Sequence, residues 1–110
     1  MAYQKELLKG NTETLLLALL TDERMYGYQI VKEMEQRSSG YFQFKEGTLY
    51  PALHRLEKAR LVQGTWASAT SGQQRRYYTI TELGRRTLAA KRKEWDSFTS
   101  AVNLVMQPAP

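Results

Sequence analysis

Lysine and arginine side chains are concentrated in the middle of this 110-residue chain. Residues 45–93 carry eleven Lys and Arg against three Asp and Glu, net +8, whereas residues 1–44 and 94–110 are net −1 and −2. A confined basic region attracts a polyanion more selectively than a generally basic surface does. Arg and Lys also suit the acceptors of nucleic acids, which are base edges and phosphates. The alternative interpretation is a solvated surface that keeps the protein soluble.

The remaining polar residues form no recognisable catalytic pattern. The chain has one histidine and no cysteine, and its acids are spread at the surface spacings of predicted helices. Paired carboxylates, a metal-ligand cluster and a glycine-rich phosphate loop are not evident. His54 lies among cations, which favours contact with nucleic acid or solvent. We therefore predict no enzyme activity, no catalytic residue, no metal site and no cofactor.

Length and hydrophobicity predict one soluble, cytoplasmic domain. A chain of 110 residues is one domain on size alone. The longest aliphatic run, Leu15–Leu20, has six residues, which is too short for a membrane span, and no signal-peptide cleavage pattern follows it. The absence of cysteine is compatible with a reducing cytosol. We expect no membrane partner.

The segment Glu46–Lys58 begins the basic region and has the pattern of a helix. Leu49, Leu53 and Leu56 recur at i, i+4 and i+7, which places them on one helix face. Thr48 is the predicted N-cap, and Pro51 then falls within the first turn, where its missing N–H costs little. The outer face carries Pro51, His54, Arg55 and Lys58. The pattern thus predicts a leucine spine with a basic outer side.

Two helices are predicted before this one. The first runs from about Asn11 to Leu20 and is apolar on every side, so we expect a partner to cover one of its faces. The second runs from about Tyr26 to Arg37, with Gly27 suited to close helix packing. Residues 1–10 are either disordered or a first helical turn. The second of these helices, the connection after it and the basic helix Glu46–Lys58 together have the arrangement of a helix-turn-helix.

A hairpin and a long helix are predicted after it. Residues 61–67 alternate with Val62, Gly64 and Trp66 on one face, residues 69–74 read as a turn, and residues 75–80 have high β-propensity. A hairpin in this position is called a wing. Thr81 is the predicted N-cap of a helix that reaches about Met106.

The fold class is therefore mainly α with a small β-hairpin: a winged helix-turn-helix plus a long C-terminal helix for dimerisation. We assign residues 1–80 to the winged region, 81–106 to the dimerisation helix and 107–110 to a disordered tail. The dimer seam of the last helix has heptad-like spacing. Together with residues of the first helix, the predicted dimer or ligand pocket contains Leu15, Leu19, Leu88, Trp95, Phe98, Val102 and Val105.

The predicted partner is double-stranded DNA, because an α-helix fits its major groove. We expect Arg55 and His54 to lie nearest the bases. The wing should reach phosphates or the minor groove. For Tyr50 and Tyr78, packing in the core is the alternative to contact with DNA. Arg85 and Arg86 are either contacts or solvated. The full predicted DNA-binding set is Lys45, Thr48, Tyr50, His54, Arg55, Lys58, Gln73, Gln74, Arg75 and Arg76, of which Lys45, Lys58, Arg75 and Arg76 are assigned to phosphates.

Two segments also resemble the signature of PadR-like transcriptional regulators. They are Glu46–Glu57, EGTLYPALHRLE, and Arg75–Gly84, RRYYTITELG; the preceding Tyr26–Ile30, YGYQI, fits the same pattern. The resemblance covers about residues 12–106. It implies a winged helix-turn-helix homodimer, usually a repressor of a nearby efflux or detoxification operon, that pairs through its first and last helices. The single long C-terminal helix resembles the compact subgroup.

The wing departs from the family pattern. Members commonly carry a Gly-Arg or Gly-Gly-Arg run before the paired tyrosines, whereas here Gln73 and Gln74 separate Gly72 from Arg75. The resemblance therefore does not predict the contacts at the wing tip. Some compact members hold planar aromatic ligands in the dimer interface, which implies such a ligand beside Trp95. The alternative for Trp95 is packing in the dimer core.

Two other functions remain open from the residues. The chain is a protein-interaction module if its outer helix face does not meet DNA, or a ligand-binding protein if only Trp95 matters. An interaction module would have no reason to gather Lys45, Arg55, Lys58 and the wing arginines on one side. An enzyme is the least favoured class.

Overall fold

The computed structural model describes residues 10–109, so the predictions for residues 1–9 and Pro110 lie outside the described residues. The described chain is mostly helical with a small antiparallel sheet, and the predicted fold class is confirmed. The elements in chain order are α1 (Thr12–Leu19), β1 (Met25–Tyr26), α2 (Gly27–Arg37), α3 (Glu46–Lys58), β2 (Val62–Ser68), β3 (Gln74–Ile80) and α4 (Glu82–Met106).

The sheet has three strands rather than the two of the predicted hairpin, in the order β1-β3-β2. The additional strand, β1, pairs Met25 with Tyr78 and Tyr26 with Tyr77. The sequence had predicted Met25 to lie between the first two helices and Tyr26 to begin the second. Two residues are too few to show a period-2 pattern, so the strand exists only because the chain passes along the free edge of β3.

The hydrophobic core lies between α1, α2, α3 and one face of the sheet. The leucine spine of α3 is confirmed, since Leu49, Leu53 and Leu56 are fully buried. Four leucines of α1 and its C-cap are also buried within the chain: Leu16, Leu17, Leu19 and Leu20. The α1 surface that a partner would have to cover therefore shrinks to the half-buried Leu15 and Ala18.

Helix α3 begins earlier than the pattern indicated. Lys45 is its N-cap, and the Lys45 carbonyl accepts from the N–H groups of Thr48 and Leu49 at 3.0 and 2.9 Å. The predicted cap at Thr48 is therefore wrong, and Pro51 lies in the second turn. The physical reason is the buried Phe44, which anchors the extended chain directly before the helix. Capping preferences depend on the residue type at the cap position, so they do not include the burial of a preceding side chain.

The wing and α4 are both fastened to the C-terminal end of α3. The chain leaves α3 through Arg60, at φ +64°, and the Leu61 N–H donates to the Leu56 carbonyl at 2.9 Å. The Thr81 hydroxyl donates to the Arg60 carbonyl at 2.7 Å and accepts from the Gly84 N–H at 3.0 Å. The predicted cap of the last helix is thus confirmed, and it also joins that helix to the end of α3.

Consecutive residues of the wing (Val62–Ile80) alternate between two faces of the sheet. The face toward the core carries Val62, Gly64 and Trp66, as predicted, and their cross-strand neighbours Ile80, Tyr78 and Arg76. The opposite, outer face carries Tyr26, Arg75 and Tyr77. The two wing arginines therefore point away from each other.

Candidate nucleic-acid interface

The outer side of α3 is a continuous exposed surface. Its buried residues fall on one side, and the predicted basic outer face is confirmed as an exposed surface. Every residue of α3 and its N-cap that was predicted to contact DNA is exposed: Lys45, Thr48, Tyr50, His54, Arg55 and Lys58. A helix that presents polar and cationic groups in this way can enter a groove without exposing its core.

Arg55 has a partner that the sequence did not indicate. Its Nε donates to Glu13 Oε1 at 3.0 Å, across 42 residues of chain. Both side chains are open to solvent, at 59% and 44% exposure, so the pair adds at most about 1 kcal/mol to stability. Such a pair can open when a stronger acceptor arrives.

Tyr50 sits at the flank of α3 that faces α2. It is 45% exposed, so the alternative placement in the core is wrong for this residue. Its ring occupies the space left by the missing side chain of Gly27, which confirms the predicted close packing of that glycine. Tyr78 differs, because it is buried as its core alternative predicted. Burial raises the pKa of the Tyr78 hydroxyl above its ordinary value of 10.0, while the nearby Arg76 cation opposes the rise.

Arg75 belongs to a stack of side chains on the outer face of the sheet. Its guanidinium lies 4.2 Å from the centre of the Tyr26 ring, which meets Tyr77 edge to face at 5.5 Å. Arg24 lies 4.5 Å from the Tyr77 ring on the other side. Arg24 was missed because only the pairing of β1 with β3 brings it here. Cation–π contacts of this kind hold the two arginines in place while their charge stays accessible.

Arg76 is turned the other way, toward α3. Its Nη2 donates to Glu57 Oε2 in the last turn of α3. The guanidinium also lies 5.8 Å from the Tyr78 ring and 6.0 Å from the Trp66 ring. This ion pair is about one-third exposed on each side, so it is more shielded from water than that of Arg55.

A crevice of about 800 Å³ separates α3 from the wing. Exposed groups of α3 form one wall, and Arg76 and Tyr78 form the other. Its lining residues are Tyr50, His54, Glu57, Lys58, Arg76 and Tyr78. The crevice places the basic helix face and the wing side by side, as a DNA-binding surface of this type requires.

A second groove, of about 750 Å³, lies between α1 and α4. Leu15 and Ala18 line one wall, and Trp95 and Phe98 line the other. The two rings are 6.0 Å apart and remain 50% and 61% exposed. Of the predicted pocket residues, Leu15, Leu88, Trp95 and Phe98 line this groove, Leu19 is buried in the core, and Val102 and Val105 lie farther along α4.

Comparison with known proteins identifies the class of this chain. The profile of the transcriptional regulator PadR-like family matches residues 16–90, which include α2, α3 and the whole wing. This chain belongs to the PadR-like family. The family consists of transcriptional regulators, so membership implies regulation through DNA, and the predicted family is confirmed.

Solved structures of other transcriptional regulators share this fold over most of the chain. A transcriptional regulator from Clostridium thermocellum superposes with a TM-score of 0.84 at 30% identity, over 93% of this chain and 99% of that one. A PadR-like transcriptional regulator from Bacillus cereus gives 0.83 at 30% identity, over 94% and 99%. An uncharacterized protein from Lysinibacillus sphaericus is 33% identical over 104 residues, covering 94% of this chain and 95% of the relative.

The wing tip of this PadR-like chain is tied by its own hydrogen bonds. Gln74 donates from Nε2 to Ser68 Oγ at 2.6 Å across the hairpin, and Gln73 is exposed beside it. Arg85, for which two roles were open, donates to the Thr21 carbonyl at 2.9 Å. Arg86 is exposed. Arg85 therefore joins α4 to the end of α1 and is engaged within the chain.

Residues 10–109 contain neither a metal-binding cluster nor a membrane-spanning helix. No group of three or more His, Asp and Glu side chains in this part of the chain is arranged to hold a metal ion. The same residues include no helix long and apolar enough to cross a membrane.

Proposed function

We propose that this PadR-like protein is a cytoplasmic, homodimeric repressor that binds a pseudo-palindromic operator. The observation that supports it best is the exposed basic face of α3 beside the wing, in a family of transcriptional regulators. In the proposed complex α3 lies in the major groove and the wing flanks it on the phosphate backbone.

Base reading is assigned to His54 and Arg55. Both are exposed on α3, and the pair that holds Arg55 is exposed enough to exchange Glu13 for a guanine edge. Lys45, Lys58 and Arg75 are assigned to phosphates, because their charges are accessible on the helix and on the outer wing face. The polar set is completed by Thr48, Tyr50, Gln73 and Gln74.

Pairing of two copies is assigned to α4. Its C-terminal half projects apolar side chains into solvent, with Trp95, Phe98 and Val105 at least half exposed. An exposed apolar seam of this length is unfavourable in a monomer and favourable against a second copy. Two α3 helices related by a two-fold axis would then reach half-sites about one helical turn apart.

A salt titration tests DNA binding directly. The protein is titrated onto the duplex upstream of its own gene and onto a random duplex of equal length, between about 50 and about 200 mM salt. We expect a steep linear fall of log K with log salt and a preference for the upstream duplex. Salt-independent binding, or equal affinity for the two duplexes, contradicts the proposal and favours an interaction module.

A second proposal is release of the operator by a planar aromatic ligand. Its support is the groove beside α4, which is large enough for a small ligand and is lined by Trp95, Phe98 and Leu15. Such a ligand would stack on the indole ring of Trp95 and would contact α1 and α4 at the same time.

The two tryptophans of the chain allow a clean test of this ligand. In a Trp66→Phe background, Trp95 is the only fluorophore of its kind, and acridine orange or anilinonaphthalene sulfonate serves as the probe. We expect saturable quenching that Leu15→Glu, which places a charge in the groove but keeps the Trp95 fluorophore, abolishes, and a lower operator affinity with probe present. Quenching without loss of operator affinity would instead indicate a binding site with no regulatory role.

A further inference from the structure

The two neighbouring arginines of the wing have opposite surroundings although they carry the same charge. Arg75 lies on the outer face against an aromatic ring, whereas Arg76 lies on the inner face against the carboxylate of Glu57. Glu57 belongs to the last turn of α3, so the Arg76–Glu57 pair joins the wing to the helix proposed to read DNA. A residue bonded in this way is poorly placed to contact phosphate.

We propose that the Arg76–Glu57 pair is a clamp that sets the position of the wing relative to α3. Arg76 is then a positioning residue for operator recognition, and the phosphate contacts of the wing come from Arg75 and the tip. The inference rests on the proposed DNA-binding function. This positioning role replaces the phosphate contact that the sequence had predicted for Arg76.

The surroundings of Arg76 are shaped for a planar guanidinium. The group is bordered by the rings of Trp66 and Tyr78 and lies over Gly64 on the neighbouring strand. A Cβ at Gly64 would stand 2.6 Å from Arg76 Nε, so the absence of a side chain there creates the space. Lysine carries the same charge but neither stacks nor donates from a planar fork.

The negative charge of Glu57 also favours a positioning role for the Arg76–Glu57 pair. It is the one acid in the last two turns of α3, within the most basic part of the chain. An unpaired carboxylate beside the DNA would repel phosphate. Because Arg76 pairs with it, the clamp is close to neutral, and its contribution to binding is geometric.

The first test compares Arg76→Met with Arg75→Met on two duplexes. One duplex is the sequence that the wild-type protein selects from a randomised library, and the other is random. Arg75→Met should weaken both and lower the slope of log K against log salt by about 0.9, as loss of one phosphate contact does. Arg76→Met should weaken the selected duplex about fivefold more than the random duplex, since the Glu57 carboxylate that it leaves unpaired repels both duplexes equally, and it should keep the slope.

The second test removes the carboxylate of Glu57, or disturbs the Arg76 side chain without changing its charge. Glu57→Gln should weaken the selected duplex about fivefold, although loss of an acid would tighten it on electrostatic grounds alone. Glu46→Gln is the matched control, since it removes an acid from the exposed first turn of the same helix. Gly64→Ala, which displaces the guanidinium without removing any charge, should resemble Arg76→Met. Arg76→Lys should also resemble Arg76→Met, whereas a phosphate contact would tolerate lysine.

These variants separate the failure of the clamp from the failure of DNA binding. A wild-type protein that selects no sequence contradicts the proposed function itself. If the wild type selects a duplex but Arg76→Met lowers the salt slope like Arg75→Met and Glu57→Gln tightens both duplexes, the clamp is overturned. The Arg76→Met, Glu57→Gln double variant should lose about fivefold rather than about 25-fold. Circular dichroism checks each fold, and Glu57→Gln decides the outcome if Arg76→Met does not fold.

Discussion

Arg55, Arg75 and Arg76 all contribute to the basic region, but their surroundings give them different roles. Arg55 is held by an exposed acid, Arg75 lies on an aromatic ring, and Arg76 is enclosed between the wing and α3. The cost of turning each one toward DNA rises with how much of its pairing is shielded from water. In the proposed complex, charge alone would therefore overestimate the number of phosphate contacts, because the partner and the burial of each arginine also matter.

The role of Arg55 gives a prediction at this scale. Arg55→Ala should lower discrimination between operator and random DNA by about 1–3 kcal/mol, because a bidentate contact to a base edge is lost. Competition binding of the two duplexes at fixed salt measures it. Glu13→Gln is the control, since it frees Arg55 and should not reduce discrimination. An Arg55→Ala protein with full discrimination would exclude this residue from base reading.

The elements are held together at one junction, where α3 ends, the wing begins and α4 starts. The hydroxyl of Thr81 bonds to the carbonyl of Arg60 and caps α4, and Arg85 ties α4 to the end of α1. Gly84 packs directly on the Leu61 carbonyl and on Ile80. The orientation of α4 relative to α3 is therefore fixed by close backbone contact as well as by apolar packing.

Stability measurements on two glycines test this junction. A Cβ at Gly84 would collide with the Leu61 carbonyl and stand 2.8 Å from Ile80 Cγ1, so Gly84→Ala should lower the free energy of unfolding by about 1–3 kcal/mol. Gly47, in the first turn of α3, has open space around it. Gly47→Ala should raise stability by up to about 1 kcal/mol through helix propensity. Urea unfolding of both variants is the measurement, and equal effects would contradict close packing at Gly84.

The whole described molecule is elongated, with principal extents of 62 × 30 × 21 Å. The 25-residue helix α4 accounts for this shape, because its C-terminal half leaves the core and carries apolar residues into solvent. The open groove between α1 and α4 continues along the same surface. A second copy packed there would cover the seam and close the groove at once.

Pairing through α4 predicts that one charge placed in the apolar seam of this helix disrupts the dimer. Phe98→Glu should convert the protein to a monomer and lower operator affinity by about 100-fold or more, because the second half-site contact is no longer intramolecular. Ser100→Glu adds the same charge on the far side of the helix and should leave both properties unchanged. Sedimentation analysis gives the mass, and a dimeric Phe98→Glu protein would move the interface elsewhere.

Much of the fold was predictable because it depends on short-range patterns. Leu49, Leu53 and Leu56 define the buried side of α3, and its exposed side follows from the same periodicity. Thr81 could be recognised as a cap since a capping side chain bonds only three residues away. The order of helices, hairpin and long helix, and the family motifs on them, needed no long-range information. The start of α3 was misplaced because it depends on Phe44 being buried, which is a property of the packed core.

Local residue patterns thus determine the elements, the leucine spine, the exposed basic face and the family. Packing in three dimensions determines how the cations are used. Arg55, Arg76 and Arg85 bond to groups 42, 19 and 64 residues away, and β1 becomes a strand only along the edge of β3. The physical reason is that a side chain's partner depends on where other elements come to lie, whereas its position on a helix or strand depends only on its neighbours.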